Sequence, residues 1–264
     1  MNKSLLIKEN NHSYNLLFVQ KYILIFLPIA LVTGPFLSEL ICIISILIFV
    51  ISSLSNKEWK YYNNIFFYLI LIWSSILIVS SLLSQNILLS LESSLLYWRH
   101  GLFAISVWYL IDKDRDFLKL FLYSFLIVFL FLIIDGFYQY FNGENLLGFP
   151  YNPNKARLSS LFGDEWIFGN YLSRLMPLLF ALTLFVIKRP KKYLLLLCFF
   201  VIASDILIYL SGERVAFFNL ILSTVLMILL MNKYKKFRLF TFIISLSIIF
   251  FLTLSNNKIK SRMI

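Results

Sequence analysis

The chain has 264 residues, of which 60% are hydrophobic and only 14% are charged. This composition excludes an ordinary soluble domain, in which about half of the residues are apolar and about a quarter are charged. The net charge of +11 does not indicate nucleic-acid binding, because the basic residues gather in short connectors between apolar runs, such as 188–192 and 232–238.

The apolar runs predict an all-α fold, a polytopic transmembrane helical bundle. Several runs exceed the roughly 18 apolar residues expected of a membrane-spanning helix. They are continuous, whereas a β-barrel requires apolar and polar residues to alternate. We predict about nine membrane-spanning helices, at residues 16–33, 35–54, 64–84, 94–112, 117–140, 166–187, 193–211, 213–231 and 238–255.

The distribution of basic residues predicts the orientation. The polar residues 1–15 are expected to be cytoplasmic, and residues 16–255 to form the transmembrane domain. The 24 Lys and Arg residues then divide by roughly two to one in favour of the inner side, as the positive-inside rule requires. Nine crossings place residues 256–264 outside, where their basic character is unusual. We therefore expect them to begin a truncated external region, and the sequence to be an N-terminal fragment.

Signals for metal, nucleotide or disulfide chemistry are missing from the sequence. Cys42 and Cys198 both lie inside apolar runs, where neither a disulfide nor a metal site is expected. We find no metal-ligand cluster, no glycine-rich phosphate loop and no nucleophile turn, and we expect no cofactor. Residues 112–116 (DKDRD) have an Asp-x-Asp spacing, but they fall in a connector on the predicted inner side and are interpreted as a solvated turn.

A polar Ser-Gly-Glu-Arg segment separates the apolar runs 193–210 and 215–231. Because each run is long enough to cross most of a bilayer, the segment is expected to be a tight turn at the outer membrane face. Arg214 is a candidate phosphate ligand, since its planar guanidinium makes bidentate contacts to anionic oxygens. The alternative is that Glu213 and Arg214 merely mark the water interface, with Arg214 extending towards lipid headgroups.

The longest connector, residues 141–165, contains Gly and Pro residues that forbid a regular helix, and it is expected on the same side as Arg214. Arg157 in this loop is a candidate for a second phosphate or sugar contact. Asp164 is a plausible N-cap of the following helix, and Glu165 in its first turn would complement the helix dipole.

Two further sets of charged residues are candidates. Asp135, Arg174 and Asp205 are predicted at similar depth inside the membrane, where buried charges are tolerated mainly as pairs. They either fix the helix packing or line a site, in which case Asp135 or Asp205 could act as a general base for an acceptor hydroxyl. Arg99, which lies between Trp98 and His100, either anchors the chain at the interface or helps to bind phosphate.

Two of these segments resemble the O-antigen ligase and O-antigen polymerase family of bacterial envelope glycan enzymes. They are residues 157–165 (RLSSLFGDE) and 210–218 (LSGERVAFF), and residues 97–99 (YWR) are also similar to that family. The resemblance extends from about residue 20 to 255. It implies a multi-spanning inner-membrane glycosyltransferase that works at the periplasmic face without a nucleotide sugar, metal or other cofactor. Members of that family use arginines to hold the pyrophosphate of the donor, and Arg214 and Arg157 fall within the matching segments.

The implied reaction transfers glycan from undecaprenyl pyrophosphate to lipid A–core or to a growing glycan chain. Family members also carry a large periplasmic loop with an essential histidine, which would begin where this chain ends. The expected partners are therefore the lipid-linked glycan, its acceptor and membrane lipids, and no nucleic acid. The candidate catalytic residues are Arg214, Arg157, Asp205 and Asp135, and the candidate substrate-binding residues are Arg99, Arg174, Glu213 and Glu165.

Two other functions remain open at this point. A transporter or flippase for a lipid-linked sugar or an anion would also place Arg and Asp within the membrane. Transporters often contain internal repeats and helices broken at mid-membrane depth, and we detect neither here. The remaining possibility is a non-catalytic membrane partner in a polysaccharide assembly complex.

Overall fold

A computed structural model describes residues 15–151, 157–163, 165–187, 193–231 and 233–255. Within these ranges the chain forms α-helices and no β-strand, which confirms the predicted all-α fold. The helices are α1 Asn15–Ile25, α2 Leu27–Thr33, α3 Pro35–Ser55, α4 Ile65–Leu82, α5 Ile87–Leu95, α6 Trp98–Lys113, α7 Asp116–Asn142, α8 Phe168–Val186, α9 Leu194–Leu210, α10 Arg214–Leu230 and α11 Lys235–Ser255. The expectations for residues 1–14 and 256–264 lie outside the described residues.

Five of these helices are long and apolar enough to cross a membrane, namely α3, α4, α7, α8 and α11. The number becomes six if α1 and α2, which meet at an angle of 46°, are counted as one span. The chain is therefore a membrane protein, but nine spans are not confirmed. The two helices on either side of the Ser-Gly-Glu-Arg turn are apolar but have only 17 residues each. Such a helix is about 25 Å long, less than the roughly 30 Å of a bilayer core.

Two predicted helices are interrupted in the structure. The first breaks at Phe26, because Pro28 at the start of α2 has no N–H to continue the hydrogen-bond ladder. The predicted helix 94–112 is interrupted near its start, because α6 begins at Trp98 and residues 94 and 95 belong to the separate short helix α5. Two serine pairs attach α5 to the end of α4: Ser81 bonds to Ser94 over 2.9 Å, and Ser84 bonds to Ser90 over 2.8 Å.

The chain divides into two compact units, Met1–Phe121 and Leu122–Ile264. In the first unit, α3 packs against α2 and α6, and α4 packs against α5 and α6. Its core contains an aromatic cluster in which Phe49, Tyr61 and Tyr109 are fully buried. The Gln20 amide donates a hydrogen bond over 3.0 Å to Ser45 Oγ in α3, and this bond joins α1 to α3 in the apolar interior.

In the second unit, α8 packs against α9 and α10, and α11 packs against the same two helices. An ion pair lies inside this bundle: Arg238 of α11 donates to Asp205 of α9 over 2.8 and 3.2 Å, and both side chains are 0% exposed. Ser245 donates to the same carboxylate, and Arg238 also donates to Thr224 of α10. The sequence predicts a connector up to residue 238 and a helix from 238 onward. In the structure α11 begins at Lys235 instead, and the Arg238 side chain lies inside the bundle.

Candidate functional site

The connection between α9 and α10 is the tight turn that the sequence predicts. It consists of three residues, and Gly212 adopts a φ of 66°, a conformation that favours glycine. Ser211 Oγ donates to the Ile208 carbonyl over 2.7 Å and so satisfies a free carbonyl at the end of α9. Glu213 then takes the N-cap position of α10, and Arg214 is the first residue of that helix.

The Glu213 carboxylate caps a different helix, α8. Oε1 accepts the Gly169 N–H over 2.7 Å, and Oε2 accepts the Asn170 N–H over 3.2 Å together with the Asn170 side-chain amide. A negative charge at this point satisfies two free N–H groups and complements the helix dipole. Burial raises the pKa of the Glu213 carboxyl, while these hydrogen bonds and the positive charge of Arg157 act in the opposite direction. Glu213 therefore fixes the α9–α10 turn to the start of α8.

This junction depends on the absence of a side chain at Gly169. A Cβ built at Gly169 would overlap Ser211 Oγ and would lie 3.0 Å from Glu213 Oε1. Glycine at this position lets the backbone of α8 approach the turn closely enough for its N–H groups to reach the carboxylate.

Glu165 does not have the position expected from the sequence. Helix α8 begins at Phe168 with Ile167 as its N-cap, so Glu165 precedes the first turn and is exposed to solvent. The dipole-complementing charge comes from Glu213 instead, which is 44 residues away from Gly169 in the chain. Asp164, the predicted N-cap, lies outside the described residues.

Arg157 and Arg214 line the same pocket, which has a volume of about 440 Å³. Its other lining residues are Trp166, Asn170, Gly212, Glu213 and Val215. The Arg157 guanidinium lies over the Trp166 ring, 4.7 Å from its centroid, in cation–π geometry. The pocket thus combines two guanidinium groups with one carboxylate, and that carboxylate already accepts hydrogen bonds from α8. Such a site favours an anionic ligand.

The predicted grouping of Asp135, Arg174 and Asp205 is not formed. Asp205 pairs with Arg238, while the Asp135 carboxylate accepts the Leu146 N–H over 2.8 Å and the Ser160 hydroxyl over 2.6 Å. Arg174 is exposed on α8. None of the three lines the pocket, so the geometry gives no support to Asp135 or Asp205 as a general base, or to Arg174 as a substrate ligand. The reason is that the loop and α11, rather than α8, supply the groups that satisfy both buried carboxylates.

Arg99 belongs to the first unit. Its guanidinium lies 3.2 Å from the Glu39 carboxylate of α3, so an acidic residue already balances its charge. The neighbouring rings of Tyr97 and His100 contact each other edge to face, with centroids 5.4 Å apart. These contacts fit the predicted anchoring role, and the phosphate contact proposed for Arg99 stays a prediction.

The first unit also contains a larger groove, of about 720 Å³, between α4 and α6. Aromatic side chains such as Trp73, Trp98 and Trp108 line it, and none of its lining residues is charged. The groove offers space for an apolar group but no residue that could bind or activate an anion. The smaller pocket around Arg157 and Arg214 is therefore the better candidate for a functional site.

Two pocket residues, Trp166 and Asn170, were not predicted. Trp166 immediately follows the loop that carries Arg157, and an aromatic residue directly after two acidic residues was the available signal. Asn170 had no such signal, because its role depends on a carboxylate 43 residues further along the chain.

Comparison of the chain with known protein families, with curated proteins and with solved structures finds no match. Among the residues that the structure describes, no group of three His, Cys, Asp or Glu side chains could hold a metal ion.

Proposed function

We propose that this protein is a membrane glycosyltransferase of the O-antigen ligase and polymerase type. It would transfer a glycan from undecaprenyl pyrophosphate to lipid A–core or to a growing glycan chain. The observation that carries the proposal is that Arg157 and Arg214 line the same pocket. These arginines come from the two segments that resemble that family, and they are 57 residues apart in the chain. A pocket of this size has room for the pyrophosphate together with part of the attached sugar.

The chemistry of the pocket supports this reaction type. Cleavage of the bond between the sugar and the pyrophosphate places negative charge on the departing phosphate oxygens. Preorganised guanidinium groups stabilise such developing charge, and they do so most strongly where water is excluded. The aromatic ring of Trp166 beneath Arg157 restricts that side chain and so lowers the entropy lost on binding.

The proposed location is the outer face of the bacterial inner membrane, with the N-terminus in the cytoplasm. Support comes from the basic connectors, which are concentrated on the predicted inner side, and from the length of the apolar helices. With the nine crossings predicted from the sequence, the α9–α10 turn faces the periplasm, where glycans linked to undecaprenyl pyrophosphate are available.

The test is a transfer assay in proteoliposomes with a glycan linked to undecaprenyl pyrophosphate and a lipid A–core acceptor. Replacing Arg214 with alanine is expected to lower transfer by at least a hundredfold, and replacing Arg157 similarly, because each removes a charge-assisted contact to the leaving group. Arg214→Lys keeps the charge but loses the bidentate geometry, so we expect an intermediate rate.

A matched control is Lys236→Ala, which removes an exposed cation from α11 in the same unit. Its transfer rate should equal that of the unchanged protein. Transfer that persists at the normal rate in Arg157→Ala and Arg214→Ala would refute the proposal. Movement of the lipid-linked glycan between leaflets without product formation would instead identify a transporter or flippase.

A further inference from the structure

The last turns of α7 carry two fully buried polar residues, Asp135 and Gln139, that hold the following loop. We propose that Asp135 is a positioning residue that fixes Arg157 in the pocket, and that it acts through Ser160. This inference rests on the proposed function, since Arg157 matters only if the pocket binds the pyrophosphate.

Asp135 connects the two limbs of the loop at one point. Its Oδ1 accepts the backbone N–H of Leu146 on the outgoing limb over 2.8 Å. Its Oδ2 accepts the hydroxyl of Ser160 on the returning limb over 2.6 Å. Both hydrogen bonds end on oxygens of the same buried carboxyl group, so one side chain joins the two limbs.

Gln139, about one helical turn further along α7, repeats this arrangement. Its Oε1 accepts the backbone N–H groups of Ser159 and Ser160 over 3.1 and 2.8 Å, and its Nε2 donates to the Phe149 carbonyl over 3.3 Å. The two limbs are also joined directly, because Asn145 Nδ2 donates to the Ser160 carbonyl over 2.6 Å.

The result is that every polar group of Ser160 has a partner. Its N–H, hydroxyl and carbonyl bond to Gln139, Asp135 and Asn145, respectively. Ser160 adopts a φ of 49°, a left-handed conformation that a non-glycine residue keeps only when its surroundings enforce it. The loop backbone is therefore held in one conformation at this residue.

Arg157 is three residues before this fixed point. Between them, Leu158 is 0% exposed and Ser159 is hydrogen-bonded to Gln139. These contacts restrict the backbone conformation between Arg157 and Ser160. Loss of the Asp135–Ser160 contact should therefore misplace the Arg157 guanidinium, while the chemistry of the pocket itself stays intact. Asp135 does not line the pocket, and this positioning role accounts for its burial next to the loop that carries Arg157.

The experiment is a double-mutant cycle in the proteoliposome transfer assay, with Ser160→Ala and Asp135→Asn each made in the unchanged protein and in Arg157→Ala. In the unchanged protein, Ser160→Ala should raise the KM for the lipid-linked donor about tenfold, because a misplaced Arg157 weakens its contact with the pyrophosphate of the bound donor. It should lower kcat by less than threefold, because the guanidinium charge that stabilises the leaving group stays in the pocket. In the Arg157→Ala background the same substitution should have no further effect on KM. Asp135→Asn should be milder than Ser160→Ala, since an amide can still accept the Leu146 N–H.

Thr183→Val is the matched control, because it also removes a buried hydroxyl, one that donates to the Leu179 carbonyl within α8 over 2.7 Å. It should change KM equally little in both backgrounds. A second measurement is hydrogen exchange of the backbone amides of Leu146 and Ser160, which should lose protection in Asp135→Leu.

The outcomes separate the two hypotheses. An equal increase in KM from Ser160→Ala in both backgrounds would overturn the positioning role, as would unchanged amide protection in Asp135→Leu. If Arg157→Ala itself leaves KM and kcat unchanged while the amides still lose protection in Asp135→Leu, the proposed function fails. The contacts of Asp135 with the loop would then have a structural role only.

Discussion

Replacing Arg238 with methionine should destabilise the second unit by about 3–5 kcal/mol, the usual cost of breaking a buried ion pair. Methionine fills a similar volume without a charge, so the loss comes from electrostatics and hydrogen bonding rather than from a cavity. The pair is suited to this test because both partners are completely buried, and solvent therefore screens neither charge.

The magnitude follows from the contacts that are lost. Arg238 donates two hydrogen bonds to Asp205 and one to Thr224, and the substitution leaves the carboxylate with Ser245 as its donor. Hydrogen bonds to charged groups contribute roughly 1.5–3 kcal/mol each. A second substitution, Asp205→Asn made in the Arg238→Met protein, removes the negative charge that Arg238 no longer balances. It should recover at least half of the lost stability.

The assay is reversible unfolding of the purified protein in mixed micelles with increasing SDS, followed by circular dichroism. A loss below about 1 kcal/mol for Arg238→Met would refute the reasoning, given the magnitudes expected of buried pairs. The reasoning would fail equally if the double variant were no more stable than the single one. Transfer activity of the double variant provides an independent result, because a protein that folds and transfers glycan without the Asp205 carboxylate cannot use it as a base.

Gly169→Ala should destabilise the protein by about 1–3 kcal/mol through overpacking against the α9–α10 turn, and adding Ser211→Gly should restore part of the lost stability. Thermal unfolding in detergent measures both effects. An undiminished loss in the double variant would contradict the close approach of α8 to the turn. Glu213 has a pKa raised by burial, so the folded state holds its proton more tightly than the unfolded state does. Stability should therefore fall as the pH rises from the ordinary value of 4.5 through the raised value, and a pH series of the same unfolding measurement should show a flatter profile for Glu213→Gln. Profiles of equal slope would rule out Glu213 as the cause.

The sequence alone was enough for the class of protein, the positions of most helices and the tight turn before Arg214. These features depend on local information: long apolar runs require helices in lipid, and Gly212 with its polar neighbours interrupts such a run. The number of spans was less predictable, because Pro28 breaks one helix and the turn shortens the two helices beside it. Short polar motifs also singled out Arg157 and Arg214, which line one pocket in the structure, and their catalytic role stays a proposal.

Only the tertiary structure decided how the buried charges are satisfied. Asp205 bonds to Arg238 from a segment that looked like a connector, and Asp135 holds a loop rather than pairing with Arg174. Glu213 caps α8 from 44 residues away. The physical reason is that a carboxylate in an apolar interior binds whichever donor the packing brings within about 3 Å, and this distance is unrelated to separation along the chain.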